Sequence, residues 1–116
     1  MSDVTIYHNP NCGTSRNTLA LLREKGVEPQ VVEYLKEGWT REQLQALMDR
    51  MGASAHEILR VRGTNAEALG LTDPHASDEA LIAAMIIEPI LVNRPIVVTP
   101  KGAALCRPAE LVLGLL

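Results

Sequence analysis

Residues 4–34 read VTIYHNPNCGTSRNTLALLREKGVEPQVVEY. Val4-Thr5-Ile6-Tyr7 is rich in β-branched and aromatic residues, the composition of a short strand. His8 to Thr14 follows as a loop, punctuated by Pro10 and Gly13. Ser15 or Thr14 can cap a helix that runs to about Lys25. Leu19 and Leu22 supply its buried stripe, and Gly26 stops it. Gln30 to Tyr34 reads as a second strand. Strand, helix and strand joined by short links predict a parallel βαβ unit with a right-handed crossover.

Downstream the pattern turns helical. Thr40 with Gln43 makes a capping box, after which Leu44, Leu47, Met48 and Met51 recur at helical spacing until Gly52. Ser54 with Glu57 repeats the box before Ile58. Ser77, Asp78 and Glu79 open another helix, with Leu81, Ile82, Met85 and Ile86 facing inward and Pro89 beyond its end. A shorter helical piece is expected around Asn65 to Leu69. The last third returns to β structure. Pro95 to Thr99 predicts a strand with proline at its first position. Pro100-Lys101-Gly102 is a turn, and Ala103 to Cys106 completes a hairpin. Pro108 suits the first turn of a final helix. The order βαβ, helices, ββα describes an α/β protein without repeats or linkers.

At 116 residues, with 47% hydrophobic and 22% charged residues, the chain has the size and composition of one soluble domain. Its net charge of −3 argues against non-specific nucleic-acid binding, which needs a basic face. The longest apolar run, Ala80 to Ile87, is far short of the roughly 20 residues that span a bilayer, and the N-terminus does not read as a signal peptide. Two cysteines, Cys12 and Cys106, are too few for a disulfide scaffold, so a reducing cytoplasmic setting is expected. A monomer is expected as well. Scattered histidines and cysteines lack metal-ligand spacing.

Cys12 carries the chemical signal. A loop between a strand and a helix aims backbone N–H groups and the positive end of the helix dipole at whatever lies there. A free thiol, with a pKa of about 8.5, is only about 3% ionised at pH 7. Making it mostly thiolate takes roughly 2.7 kcal/mol. The dipole supplies about 0.3–2 kcal/mol, so a further cation is needed. His8, at the strand end, and Arg16, in the first helical turn, are the nearest candidates, with Ser15 beside them. Ser15 also stands where a CxxC motif has its second cysteine, which rules out a dithiol in this loop. The CX5R phosphatase pattern fails because Thr18 occupies the arginine position. Cys106 reads as structural, and so do His56 and His75. Arginine outnumbers lysine eight to three. Arg60, Arg94 and Arg107 near turns offer forked donors for a tetrahedral anion if they converge on the cysteine.

Ile6 to Leu19, Leu91 to Pro100 and Leu105-Cys106-Arg107-Pro108 closely resemble segments of the glutaredoxin-coupled arsenate reductases, the ArsC family. The likeness runs over essentially the whole chain in one register. It implies a thioredoxin-like single domain over residues 1–116, with a helical insertion at about 36–90 between the βαβ and ββα parts. It implies that Cys12 is the nucleophile and that His8 helps hold its thiolate. Arg60 (or Arg62, two residues on), Arg94 and Arg107 would bind the oxyanion, and the Arg94–Pro95 peptide would be cis. Some family members continue past the position of Leu116.

The resemblance further implies reduction of arsenate to arsenite. That takes two electrons, and a lone thiolate cannot supply both. Electron counting therefore calls for an external thiol, which the resemblance implies is glutathione as co-substrate and then glutaredoxin as partner, with no tightly bound cofactor or metal. Two alternatives share these features. One is a glutathione-linked thiol oxidoreductase of another substrate. The other is a redox-sensing binding module like the Spx-type regulators, which usually carry CxxC where this chain has Ser15.

Overall fold

A computed structural model describes residues 3–116, and its elements follow the changes of pattern along the chain. Thr5–His8 forms β1, Gly13–Glu24 α1, Gln30–Glu33 β2 and Tyr34–Glu37 the one-turn helix α2. Ile96–Thr99 (β3) and Gly102–Leu105 (β4) return near the end. Together they make one mixed sheet in the order β2-β1-β3-β4. β1 and β2 run parallel, whereas β3 is antiparallel to both β1 and β4. This βαβ-then-ββ sheet is the thioredoxin-like arrangement expected from the sequence.

Two compact units can be described. The first comprises the residues up to Glu37 together with Arg94–Leu116. Its core is Val4, Ile6, Leu22, Val97, Cys106 and Val112, with Leu19, Val31 and Ala104 packed on it. The two-residue period of β1 buries Ile6 and His8 on one side. Leu22 of α1 is fully buried, a placement worth about 1.5–3 kcal/mol in transfer free energy.

Several expectations need correction in this unit. Cys12 itself is the N-cap of α1, so the helix begins before Thr14 and Ser15. Sequence preference favours serine or threonine at that position, and here the preference loses to the geometry of the preceding turn. Tyr34 leaves β2 for α2. The terminal segment Ala109–Leu115 is a 3₁₀ helix, with Pro108 at its N-cap position. Both Arg94–Pro95 and Arg107–Pro108 are cis, and only the first was implied by the resemblance.

The second unit, Gly38–Asn93, is helical. It contains α3 (Arg41–Met51), α4 (Ala55–Ile58), α5 (Asp78–Ile87) and a 3₁₀ turn at Pro89–Leu91. Both capping boxes form, Thr40 with Gln43 and Ser54 with Glu57. Gly52 ends α3 at φ +65°, a left-handed geometry that suits glycine. The buried stripes are Leu44, Leu47 and Met48 on α3, and Leu81, Ile82 and Met85 on α5. Ile86 was expected inside and is 39% exposed, because it lies at the edge of the stripe in the last turn. Asn65 to Leu69 is a series of turns rather than a helix. Leu59 and Val92 form a β-bridge flanked by Arg60 N–H to Leu91 O and Asn93 N–H to Ile58 O, both 2.7 Å.

Leu22→Ala should lower the unfolding free energy by about 2–5 kcal/mol, the usual range for a fully buried leucine. Leu111→Ala, at a half-exposed position, should change it by less than about 0.5 kcal/mol. Urea unfolding followed by circular dichroism checks the contrast, and equal losses would contradict the core assignment.

Candidate active site

Strand register brings distant residues together. Tyr7 pairs with Ile96, and Ile96 pairs with Leu105. Those three residues stand side by side across the sheet. The segment that leaves β1 towards Cys12 therefore lies beside the one that enters β3 from Arg94, and beside the one that leaves β4 towards Arg107. Proximity that sequence spacing could not show follows from the sheet order.

Cys12 is 8% exposed. Its sulfur lies 3.6 Å from Arg107 Nη1, and the same nitrogen donates to the Arg94 carbonyl at 2.9 Å. The guanidinium of Arg107 is thus tethered to the chain beside Arg94 while it faces the sulfur. Burial is the largest single influence on the Cys12 thiol and pushes its pKa up. The backbone N–H of Ser15, hydrogen bonds from the Arg94 and Arg107 side chains and the charge of Arg94 together outweigh it, and the thiol falls to about 7. The N–H of Ser15 is one of the donors that a helix start leaves open, so the dipole and two guanidiniums act in the same direction.

Cys106 shows what burial does alone. It is fully buried, its Sγ faces the Ala104 carbonyl at 3.6 Å, and desolvation pushes its thiol up to about 11. The structural reading of Cys106 fits this environment.

His8 and Arg16, the cations nominated by sequence proximity, are engaged differently. His8 is 6% exposed, and its Nδ1 lies 2.6 Å from Ser15 Oγ. Burial lowers its pKa, with Glu33 opposing and Arg23 and Arg16 adding to the decrease. Ser15 Oγ also accepts from the Asn9 N–H at 3.1 Å. In a neutral ring protonated on Nε2, His8 Nδ1 accepts the Ser15 hydroxyl proton across this contact; in the other tautomer it donates to Ser15 Oγ. His8 thereby acts on the loop through Ser15. Arg16 is exposed and donates from Nη1 to the Pro10 carbonyl at 2.9 Å.

Arg60 belongs to the helical unit. Its Nε donates to the Arg62 carbonyl at 3.1 Å and its Nη1 to Asn93 Oδ1 at 3.4 Å. Arg62 is exposed and Arg60 half-buried. Sequence reasoning passed over Asn9. The signal available was the Asn-Pro pair, which marks a turn. Among the described residues, no group of three or more His, Cys, Asp or Glu side chains could hold a metal ion, and no helix is long and apolar enough to cross a membrane. The arrangement around Cys12 places a thiol of lowered pKa beside the guanidiniums of Arg94 and Arg107.

Comparison with known proteins points the same way. The model of the ArsC family matches residues 7–115. An arsenate reductase of Rhizobium meliloti (strain 1021) is 55% identical over 113 residues, 97% of this chain and 81% of that protein. An arsenate reductase of Escherichia coli (strain K12) is 51% identical over 116 residues, 100% of this chain and 82% of that protein. The solved structure of an arsenate reductase from Vibrio cholerae has a TM-score of 0.92 at 43% identity, and the match covers 97% of each chain.

The two thiols should differ sharply towards iodoacetamide. At pH 7.5 the native protein should be labelled at Cys12, with Cys106 modified only after unfolding, as peptide mass mapping would show. Arg107→Ala should slow Cys12 labelling at pH 6.5, since losing a donor to the thiolate raises its pKa. An unchanged rate would remove Arg107 from the sulfur's environment. Linkage adds a sign. The folded-state pKa of about 7 lies below the free-thiol value of about 8.5. Cys12 therefore contributes stability that is fully present above about pH 8.5 and is lost as pH falls through 7.

Proposed function

This chain belongs to the ArsC family, and from that premise we propose that it reduces arsenate to arsenite with Cys12 as its nucleophile and with electrons from external thiols. It is an arsenate reductase by its curated relatives at about half identity over nearly its full length. The single observation that carries the assignment of the nucleophile is the Cys12 sulfur at 3.6 Å from a guanidinium nitrogen of Arg107, on a thiol lowered to about 7.

Arsenate is a tetrahedral oxyanion, matched in charge and shape by arginine forks. Arg94 and Arg107 hold it against Cys12, and they stabilise the charge that builds on its oxygens during attack. Arg60 is the third donor that the family resemblance assigns. Ser15 and His8 keep the loop in place, and Arg16 ties the start of α1 to Pro10.

The thiolate attacks arsenic. A sulfur–arsenic bond forms, and an oxygen leaves as water with protons from the substrate and solvent. Arsenic is still As(V) at this point. Glutathione displaces a second oxygen as water. Attack of a glutaredoxin thiolate on the glutathione sulfur then forms a disulfide and leaves the As–S electron pair on arsenic, now As(III). Hydrolysis releases arsenite and frees Cys12. The sum is arsenate plus two thiols giving arsenite, one disulfide and one water. Ser15 cannot close a disulfide with Cys12, and this is why the second thiol comes from outside. Because thiols provide both electrons, the reaction as written requires no tightly bound cofactor.

Cys12→Ser should abolish arsenate reduction in an assay with glutathione and glutaredoxin, while Cys106→Ser should keep most of it. Arg94→Ala and Arg107→Ala should each lower kcat/KM for arsenate roughly 10- to 150-fold, the equivalent of one charged hydrogen bond of about 1.5–3 kcal/mol. Activity retained in Cys12→Ser, or full turnover in both arginine variants, would contradict the assignment. Reduction of mixed disulfides in preference to arsenate would favour a general thiol oxidoreductase instead.

A further inference from the structure

We infer that Asn9 is a positioning residue for the Cys12 sulfur. The inference rests on Cys12 being the nucleophile. Asn9-Pro10-Asn11-Cys12 forms a turn between β1 and α1, closed by the Cys12 N–H donating to the Asn9 carbonyl at 3.0 Å. Asn9 is 3% exposed. Its Oδ1 accepts from the Asn11 N–H at 2.9 Å, and its own N–H donates to Ser15 Oγ at 3.1 Å. One residue thus bonds to the middle of the turn, to its last residue and to the first turn of α1.

The consequence falls on the sulfur. With its N–H held by Asn9, Cys12 sits at φ −100° and ψ 122° as the N-cap. That backbone setting directs the side chain to the open N–H groups of the helix start, among them Ser15 N–H. If the Oδ1 bond is lost, the Asn11 N–H loses its acceptor, and Pro10, the Cys12 N–H to Asn9 carbonyl bond and the Asn9 N–H to Ser15 Oγ bond are left to define the turn. Cys12 then samples a wider range of φ and ψ, the N–H to sulfur contact lengthens on average, and the thiolate is held less well by the Ser15 N–H.

The choice of asparagine also has a physical reason. Aspartate, serine and asparagine all suit the first position of such a turn. Aspartate would close it equally well. However, it would place a negative charge on a residue whose Cα is within about 7 Å of that of Cys12, by the geometry of a β-turn. The amide closes the turn without opposing the thiolate. Serine would do so with a shorter and weaker acceptor.

The test follows the iodoacetamide labelling rate of Cys12 against pH in the full chain, with peptide mapping to exclude Cys106. Asn9→Ala should raise the midpoint and cut the rate at pH 6.5 about threefold, the equivalent of about half a pH unit. Asn9→Ser should fall between it and the wild type. Leu22→Ala, which loosens the core and leaves the turn intact, should lower the unfolding midpoint without moving the labelling midpoint. An Asn9→Ala midpoint equal to that of the wild type overturns the inference while leaving the arsenate reading intact. So does a Leu22→Ala shift as large as that of Asn9→Ala. Should Asn9→Ala fail to fold, an unmoved midpoint in Asn9→Ser overturns it. A wild-type midpoint near that of a free thiol overturns this inference together with the nucleophile assignment.

Discussion

A sulfur that is largely removed from water and yet held with a pKa of about 7 is the constraint on which the rest of this protein depends. Burial alone drives a thiol the other way, as Cys106 demonstrates at about 11. Cys12 reaches about 7 against the same tendency, because its place in the fold supplies three kinds of donor. One comes from the start of α1, one from the segment entering β3 and one from the segment leaving β4. No single element could provide all three. The order β2-β1-β3-β4 is what makes them neighbours, so the topology of the sheet is itself part of the chemistry.

The donors are also held in place by groups that never touch the sulfur. Arg107 is tied to the Arg94 carbonyl through the nitrogen that faces Cys12. Ser15 is fixed from two sides, by His8 Nδ1 and by the Asn9 N–H. A neutral His8 suits this task better than a cationic one, since its unprotonated Nδ1 can accept from the serine hydroxyl. Protonation would turn that nitrogen into a donor and leave the buried hydroxyl proton to find another acceptor. Pre-organisation of this sort lets donors act on developing charge without first reorienting.

Much of the fold was legible in the sequence. The βαβ start, both capping boxes, the hairpin and the glycine stops rest on local chemistry, and local chemistry is what a sequence displays. The misplaced boundaries were ones that residue type alone does not decide. Cys12 displaced Thr14 and Ser15 as the helix cap because the Asn9 turn closes on it. Ile86, apolar and at helical spacing, is 39% exposed because the stripe ends one residue short of it. For the site, Cys12 stood out by its position between strand and helix. Arg94 and Arg107 stood out as forked donors beside prolines, but the family resemblance, rather than spacing, brought them to Cys12. Their approach to the sulfur spans 95 residues for Arg107 and depends on strand register, which the residues alone do not spell out. Nearness in sequence suggested His8 and Arg16 as the cations at the sulfur, whereas the fold gives His8 to Ser15 and Arg16 to Pro10.

The most direct test is to titrate the thiolate of Cys12 by its ultraviolet absorbance, taken as the difference between the wild type and Cys12→Ser across the neutral pH range. The account predicts one ionisation with a midpoint close to 7. A midpoint at or above the free-thiol value of about 8.5 would mean that the helix start and the two guanidiniums do not stabilise the anion, and would contradict the account at its base.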